Sequence, residues 1–215
     1  EPMPVITQTE STSKSKALDP FTQNVPGFSI MFLLLTCSSA GSVAILKERE
    51  SGTLRRLLTA PISRSTIIAG KVLSNYIRGL VQITVLMLFG HFVFGLSFGD
   101  DPFAFALLLM ALTAPATGLG ILISVFVSSK EQAESLSTMI VISMSGLGGS
   151  WWPIYIMPDF MQPLAHLTIT AWAMDGFYDL LWHGYGLREV LPEIAVLLTI
   201  AAVFIAIAAS RFKFE

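Results

Sequence analysis

Long apolar runs separated by short polar breaks make up most of the chain. Five such stretches stand out, at about 27–46, 65–96, 103–127, 136–152 and 190–209. The runs are too long for a soluble core, so their solvent is lipid. As a helix, each crosses a hydrocarbon layer about 30 Å thick and satisfies its own backbone there. The pattern predicts an all-α fold: a polytopic transmembrane helical bundle with five visible spans. Residues 1–26, rich in Thr, Ser, Gln and Pro, read as the end of an extracytoplasmic segment. Residues 27–215 read as one transmembrane domain.

Two stretches depart from a simple crossing. The second, 65–96, makes a helix of roughly 48 Å at about 1.5 Å per residue, about 18 Å more than the layer needs. Lys71, Asn75 and Arg78 lie in its first half, which predicts that it projects into the cytoplasm while Arg78 snorkels to the headgroups. The other reading makes Arg78 a substrate or gating charge. Residues 153–187 are apolar and aromatic, but Pro153, Pro158 and Pro163 exclude one straight helix. Trp151, Trp152, Tyr155, Trp172, Tyr178 and Trp182 suit a membrane–water boundary. Here the sequence predicts an outer re-entrant segment of short helices that dip in and return.

Composition agrees with lipid as solvent. Of 215 residues, 53% are hydrophobic and 13% charged, and mean hydropathy is +0.68. A soluble domain carries about twice that charge. A net charge of −2 gives no footprint for a nucleic-acid partner. The single cysteine, Cys37, cannot form an internal disulfide. Lys47, Arg49, Arg55, Arg56, Arg64, Lys71, Lys130, Arg211 and Lys213 fall on one set of connections, whereas 97–102 and 151–187 hold no Lys or Arg. The bias predicts a plasma (bacterial inner) membrane protein with a cytoplasmic carboxyl terminus and an outer amino terminus. The first residues lack the basic and apolar regions of a signal peptide, so the sequence reads as the carboxyl-terminal part of a longer protein.

The most informative segment is 47–62, KERESGTLRRLLTAPI. Leu54, Leu57 and Leu58 share one helical face, with Arg55 and Arg56 on others. Glu48 and Glu50 ahead of this face and the arginines towards its end complement a helix dipole. Ser51 is a candidate N-cap and Pro61 a stop. A short amphipathic helix of this kind either sets its leucines into a groove on a partner or lies on the inner leaflet with its arginines on anionic headgroups. Its attachment to the long second span favours the partner, because moving the helix would then move the span.

At these residues the chain resembles a family. The run Glu48-Arg49-Glu50-Ser51-Gly52-Thr53-Leu54, with Leu57-Leu58, Pro61 and Gly70-Lys71, is similar to the cytoplasmic signature of ABC exporter permeases of the second class. Asn24 to Gly27 and the Pro-rich piece from Trp152 to Gly184 also resemble that family. The resemblance implies a coupling helix at about Ser51–Thr59 that docks on a separate ABC ATPase subunit. Glu48, Glu50, Ser51, Gly52, Thr53, Leu54, Arg55, Leu57, Leu58 and Pro61 are then the coupling residues. It also implies a second permease copy around one path, six spans per permease, and export of a drug-like, lipidic or polysaccharide cargo. Five spans are visible, so the sixth would precede Glu1.

Chemistry within the chain is sparse. Gly70-Lys71 is followed by Val72 and lacks the upstream glycine of a phosphate-binding loop, so ATP and Mg belong to the partner and no cofactor is expected here. His91, His166 and His183 have no metal spacing, and His91 reads as a hydrogen-bonded structural histidine rather than a proton relay. Pro115, among small residues, predicts close helix packing, with or without a moving kink. Lys130, Glu131 and Glu134 read as solvated charges, and Asp159, Asp175 and Asp179 as caps of short outer helices. Two other classes have their own signatures: an ion-driven secondary transporter would show internal repeats and mid-bilayer charges, and a membrane-embedded enzyme of lipid metabolism would show acidic clusters.

Overall fold

The computed structural model describes residues 20–53 and 63–211. Four long helices come first: α1 (Pro20–Glu50), α2 (Arg64–Phe94), α3 (Pro102–Phe126) and α4 (Lys130–Leu147). A 3-10 turn at Ile154–Ile156 and the short helices α5 (Gln162–Ala165) and α6 (Ile169–Leu181) follow, and α7 (Leu187–Arg211) comes last. No strand occurs among the described residues.

Local chemistry starts and stops these helices. Ser63 accepts from Thr66 N at the start of α2, and Gly95, at φ 68°, ends it in the left-handed conformation that glycine adopts without strain. Asp101 Oδ1 accepts from Phe103 N and Ala104 N at the start of α3, while Oδ2 accepts from Leu187 N at 3.1 Å. One carboxylate therefore sets the starts of both α3 and α7, which run parallel.

Helix α3 is the axis of the bundle. Most of its length is buried, including Leu108, Leu112, Ala116 and Ile123. A Cβ at Gly118 would meet Phe204 Cβ at 3.1 Å on α7, whereas one at Gly120 would run into the Cys37 and Ser38 backbone of α1. Small residues on two faces of α3 thus let two helices approach closely, which is how helices associate where lipid removes the hydrophobic driving force. On α7 the buried positions Val190, Ile194, Leu197 and Ala201 recur at helical spacing and face this axis.

The bundle has a charged end and an aromatic end. At the charged end, Glu50 of α1 meets Lys130 of α4, and Arg49, Phe126 and Arg211 line one crevice. At the aromatic end, Gln23 Nε2 donates to Gly149 O at 2.9 Å, and Tyr178 donates to Gln23. Helices α1, α3 and α7 run from the aromatic to the charged end; α2 and α4 return.

Among the described residues, four helices are long and apolar enough to cross a membrane: Gln23–Glu50, Thr66–Phe94, Pro102–Phe126 and Leu187–Arg211. The chain is a multi-pass membrane protein. The expected span at 136–152 is corrected. Its helix is Lys130–Leu147, and among the described residues it does not join those four. Gly149, at φ 82°, turns the chain out of the helix before Trp151 and Trp152. The polar first turns of α4 lower its hydropathy, yet its ends meet the two ends of α1. Helix α1 begins at Pro20, ahead of the apolar stretch expected from residue 27. The polar Gln23 read as loop is in fact buried and bonded to the outer segment.

Candidate functional site

The coupling residues expected from sequence lie where α1 ends. Glu48 and Glu50 occupy its last turn. Carboxylates there oppose the helix dipole, whose negative end they face. Each is balanced by a lysine from another helix: Lys71 of α2 bonds Glu48, and Lys130 of α4 meets Glu50 at 2.5 Å. The Glu48–Lys71 pair is the more enclosed, with side-chain exposures of 35% and 15%. That matters because exposed pairs are worth only about 0.2–1 kcal/mol.

Ser51 and Gly52 then turn the chain. Gly52 has φ 68°, Ser51 N donates to Lys47 O at 3.0 Å, and Gly52 N donates to Arg49 O at 3.2 Å. This is a glycine-dependent helix stop. The Ser51 hydroxyl donates back to Glu48 O at 3.2 Å and shares a hydrogen bond with Thr53 at 2.9 Å. Ser51 therefore finishes α1, and Thr53 is the first residue to return to helical geometry. Leu54, Arg55, Leu57, Leu58 and Pro61 lie outside the described residues.

The structure thus brings Glu48 and Glu50 together with two lysines that sequence reasoning did not pair with them. Lys71 appeared in a motif and as a polar side chain of the long second stretch, and Lys130 as a solvated charge. The available signal was charge: alternating acids and bases at the end of a span find opposite charges on neighbouring spans at the same depth. The last turn of α1 is thereby tied to both α2 and α4.

The outer acids are corrected too. Asp175 and Asp179 do not cap helices; they pair with His166 at 2.8 Å and His183 at 3.0 Å. Thr168 caps α6 instead. His91 Nδ1 lies 2.7 Å from Leu96 O, the structural role expected of it. Burial alone would lower the pKa of His166, but its hydrogen bonds to Gln162 O and Asp175, with the charge of Asp175, hold it above the ordinary histidine value. Burial raises Asp175 despite His166. A raised histidine contributes stability that is complete below about pH 6.5 and is lost as pH climbs through its folded pKa. Trp172 Nε1 donates to His166 O at 2.7 Å and its ring meets the imidazole edge-on. We therefore expect alkaline titration above pH 6.5 to loosen residues 162–175 and change Trp172 emission, with the transition absent in His166→Gln; a pH-independent wild-type signal would contradict this pairing.

Among the described residues, no three His, Cys, Asp or Glu side chains converge as a metal site would require. The sequence model of the ABC-2 family transporter proteins matches residues 2–210. The chain is 36% identical over 203 residues to the linearmycin resistance permease protein LnrN of Bacillus subtilis, covering 94% of this chain and 52% of that protein. It is 28% identical to the inner membrane transport permease YadH of Escherichia coli, over 71% of this chain and 59% of that one. It is 26% identical to the probable multidrug ABC transporter permease YbhR of Escherichia coli, over 74% and 46%. The chain spans about half the length of these relatives. A multi-pass helical bundle whose sequence matches the family model almost throughout belongs to the ABC-2 transporter family, as a permease.

Proposed function

We propose that the protein is the membrane subunit of an ATP-driven exporter, coupled to its motor through residues 51–59. A separate ABC ATPase binds ATP and Mg and closes on hydrolysis-competent sites. The leucine face of Leu54, Leu57 and Leu58 sits in a groove on that ATPase. Its closure pushes the junction at Glu48 and Glu50, and the two lysine ties pass the displacement to α2 and α4. A path between two permease copies then opens outward. The charged end faces the cytoplasm of a bacterial inner membrane, a reading supported by Lys47, Arg49, Lys71, Lys130 and Arg211 gathered there. Arg188 is the one described exception at the aromatic end.

The observation that carries this reading is the double tie of Glu48 and Glu50 at the point where the leucine-bearing segment leaves the bundle. A merely solvated loop has no need of it. The cargo we favour is a drug-like amphipathic molecule, supported by the resistance and multidrug permeases among the relatives. The test is co-purification and vesicle transport. The full permease is expected to bring down an ATPase and to accumulate an amphipathic drug in inverted vesicles only with ATP. Uptake that persists without ATP and collapses with an ion gradient would assign the protein to ion-driven transport instead.

A further inference from the structure

A groove of about 390 Å³ lies between α1 and α2, running inward from Glu48, where the coupling segment begins. It begins beside the Glu48–Lys71 pair and reaches inward to Asn75 and Arg78, with Gly41 and Ser74 on its walls. Arg78 stands about 10 Å of helix beyond Lys71. Its neighbour Gly79 packs against Cys37 and Thr113, which lie near the middles of α1 and α3. Arg78 therefore leaves the backbone level with the middles of α1 and α3, from where its side chain would have to snorkel to reach a headgroup.

Two polar groups in this groove lack partners. Arg78 is exposed on the chain and makes no hydrogen bond or ion pair with any described residue. Because Glu48 is neutralised by Lys71, the Arg78 charge is uncompensated. An intramembrane arginine is costly unless an anion, a carbonyl or water meets it. Asn75 is 4% exposed; its Nδ2 donates to Cys37 O at 2.9 Å, but its buried Oδ1 has no donor. The groove thus offers a forked cation beside an orphan acceptor. On α2, next to Ser74 and Arg78 but outside the groove's lining, Leu73, Ile77 and Val81 form an exposed apolar stripe at i, i+4, i+8.

We propose that this groove binds an anionic amphiphile: its anion on the Arg78 guanidinium, a head-group hydroxyl donating to Asn75 Oδ1, and its chain along Leu73, Ile77 and Val81. The guanidinium matches phosphate or carboxylate oxygens through paired N–H donors. A cationic head is excluded by the same charge, and a wholly apolar ligand would leave both polar groups unmet. The site stands on its own geometry, whatever drives the protein.

The test uses the full permease in neutral detergent with three probes: lysophosphatidylglycerol, lysophosphatidylcholine and soluble glycerol phosphate. Lysophosphatidylglycerol is expected to bind about tenfold or more tighter than either of the others, the increment of one charge-assisted contact. Arg78→Gln is expected to remove that preference and Arg78→Lys to keep most of it, with the elution profile unchanged in both. Equal affinity for the two lysolipids, or binding indifferent to Arg78→Gln, overturns the proposal. Glycerol phosphate binding as tightly as the lysolipid would make this a free-anion site and also overturn it. So would Arg78→Gln separating two permease copies while lysophosphatidylglycerol binding stays intact, since Arg78 would then serve a subunit contact.

Discussion

Replacing Leu54 and Leu57 together by Asp is expected to lower transport at least about 100-fold, because each leucine acts as an interface anchor worth about 2 kcal/mol or more. Two carboxylates on one helical face cannot enter an apolar groove without leaving buried charges unpaired. Both positions lie beyond the Gly52 stop, so the ties of Glu48 to Lys71 and Glu50 to Lys130 are untouched. The double mutant should therefore reach the membrane with normal yield and thermal stability. ATP hydrolysis by the partner should continue at its uncoupled rate. Measured side by side, a fall in transport with preserved bundle stability separates loss of coupling from loss of fold. Wild-type transport in this mutant would remove the leucine face from the mechanism.

A second large effect lies in the bundle itself. Gly120→Val is expected to destabilise the protein by about 3 kcal/mol or more, the upper range for overpacking. A Cβ there would meet the Cys37 carbonyl group and Ser38 Cα at 3.1 Å, backbone atoms that no side-chain rotation can move. Relief would require α1 to shift. Its aromatic end is held by Gln23 on Gly149, and its charged end by Lys71 and Lys130. Gly146→Ala in α4 is the contrasting case: the nearest atoms are the Trp151 ring at 3.8 Å, ordinary contact. That change should be neutral or stabilise by up to about 1 kcal/mol from helix propensity. Melting temperature in detergent and the monodisperse fraction after extraction distinguish the two.

The sequence carried the apolar helices well because lipid imposes a single demand, about 20 apolar residues in a row. It carried α4 poorly. The buried stripe there is Ala133, Ser137, Val141 and Ser145, every fourth residue, small and half polar. Such positions are chosen for close approach rather than for hydropathy, so a hydropathy reading slid the element towards Trp152. Gln23 misled for a related reason: its amide is satisfied across 126 positions of sequence, so polarity marked a tertiary contact and not a loop. The same holds for Asp175 and Asp179, read as local caps, whose partners are histidines. Within the coupling region, the expected stop at Pro61 lies outside the described residues and the turn at Gly52 was not foreseen, whereas the signature around Glu48–Thr53 was legible. The lysine partners were not, because nothing in the spacing of Glu50 and Lys130 places them at one depth until α4 is known to return along α1.

Leu57→Cys offers the sharpest probe of the motor contact. Cys37 is buried, so it does not compete with the new thiol. In the assembled transporter, a short bifunctional thiol reagent is expected to join Leu57→Cys to a cysteine placed in the ATPase groove, with ATP changing the yield. Labelling of the same thiol by a membrane-impermeant reagent from outside intact cells, with no cross-link to the ATPase, would contradict the mechanism.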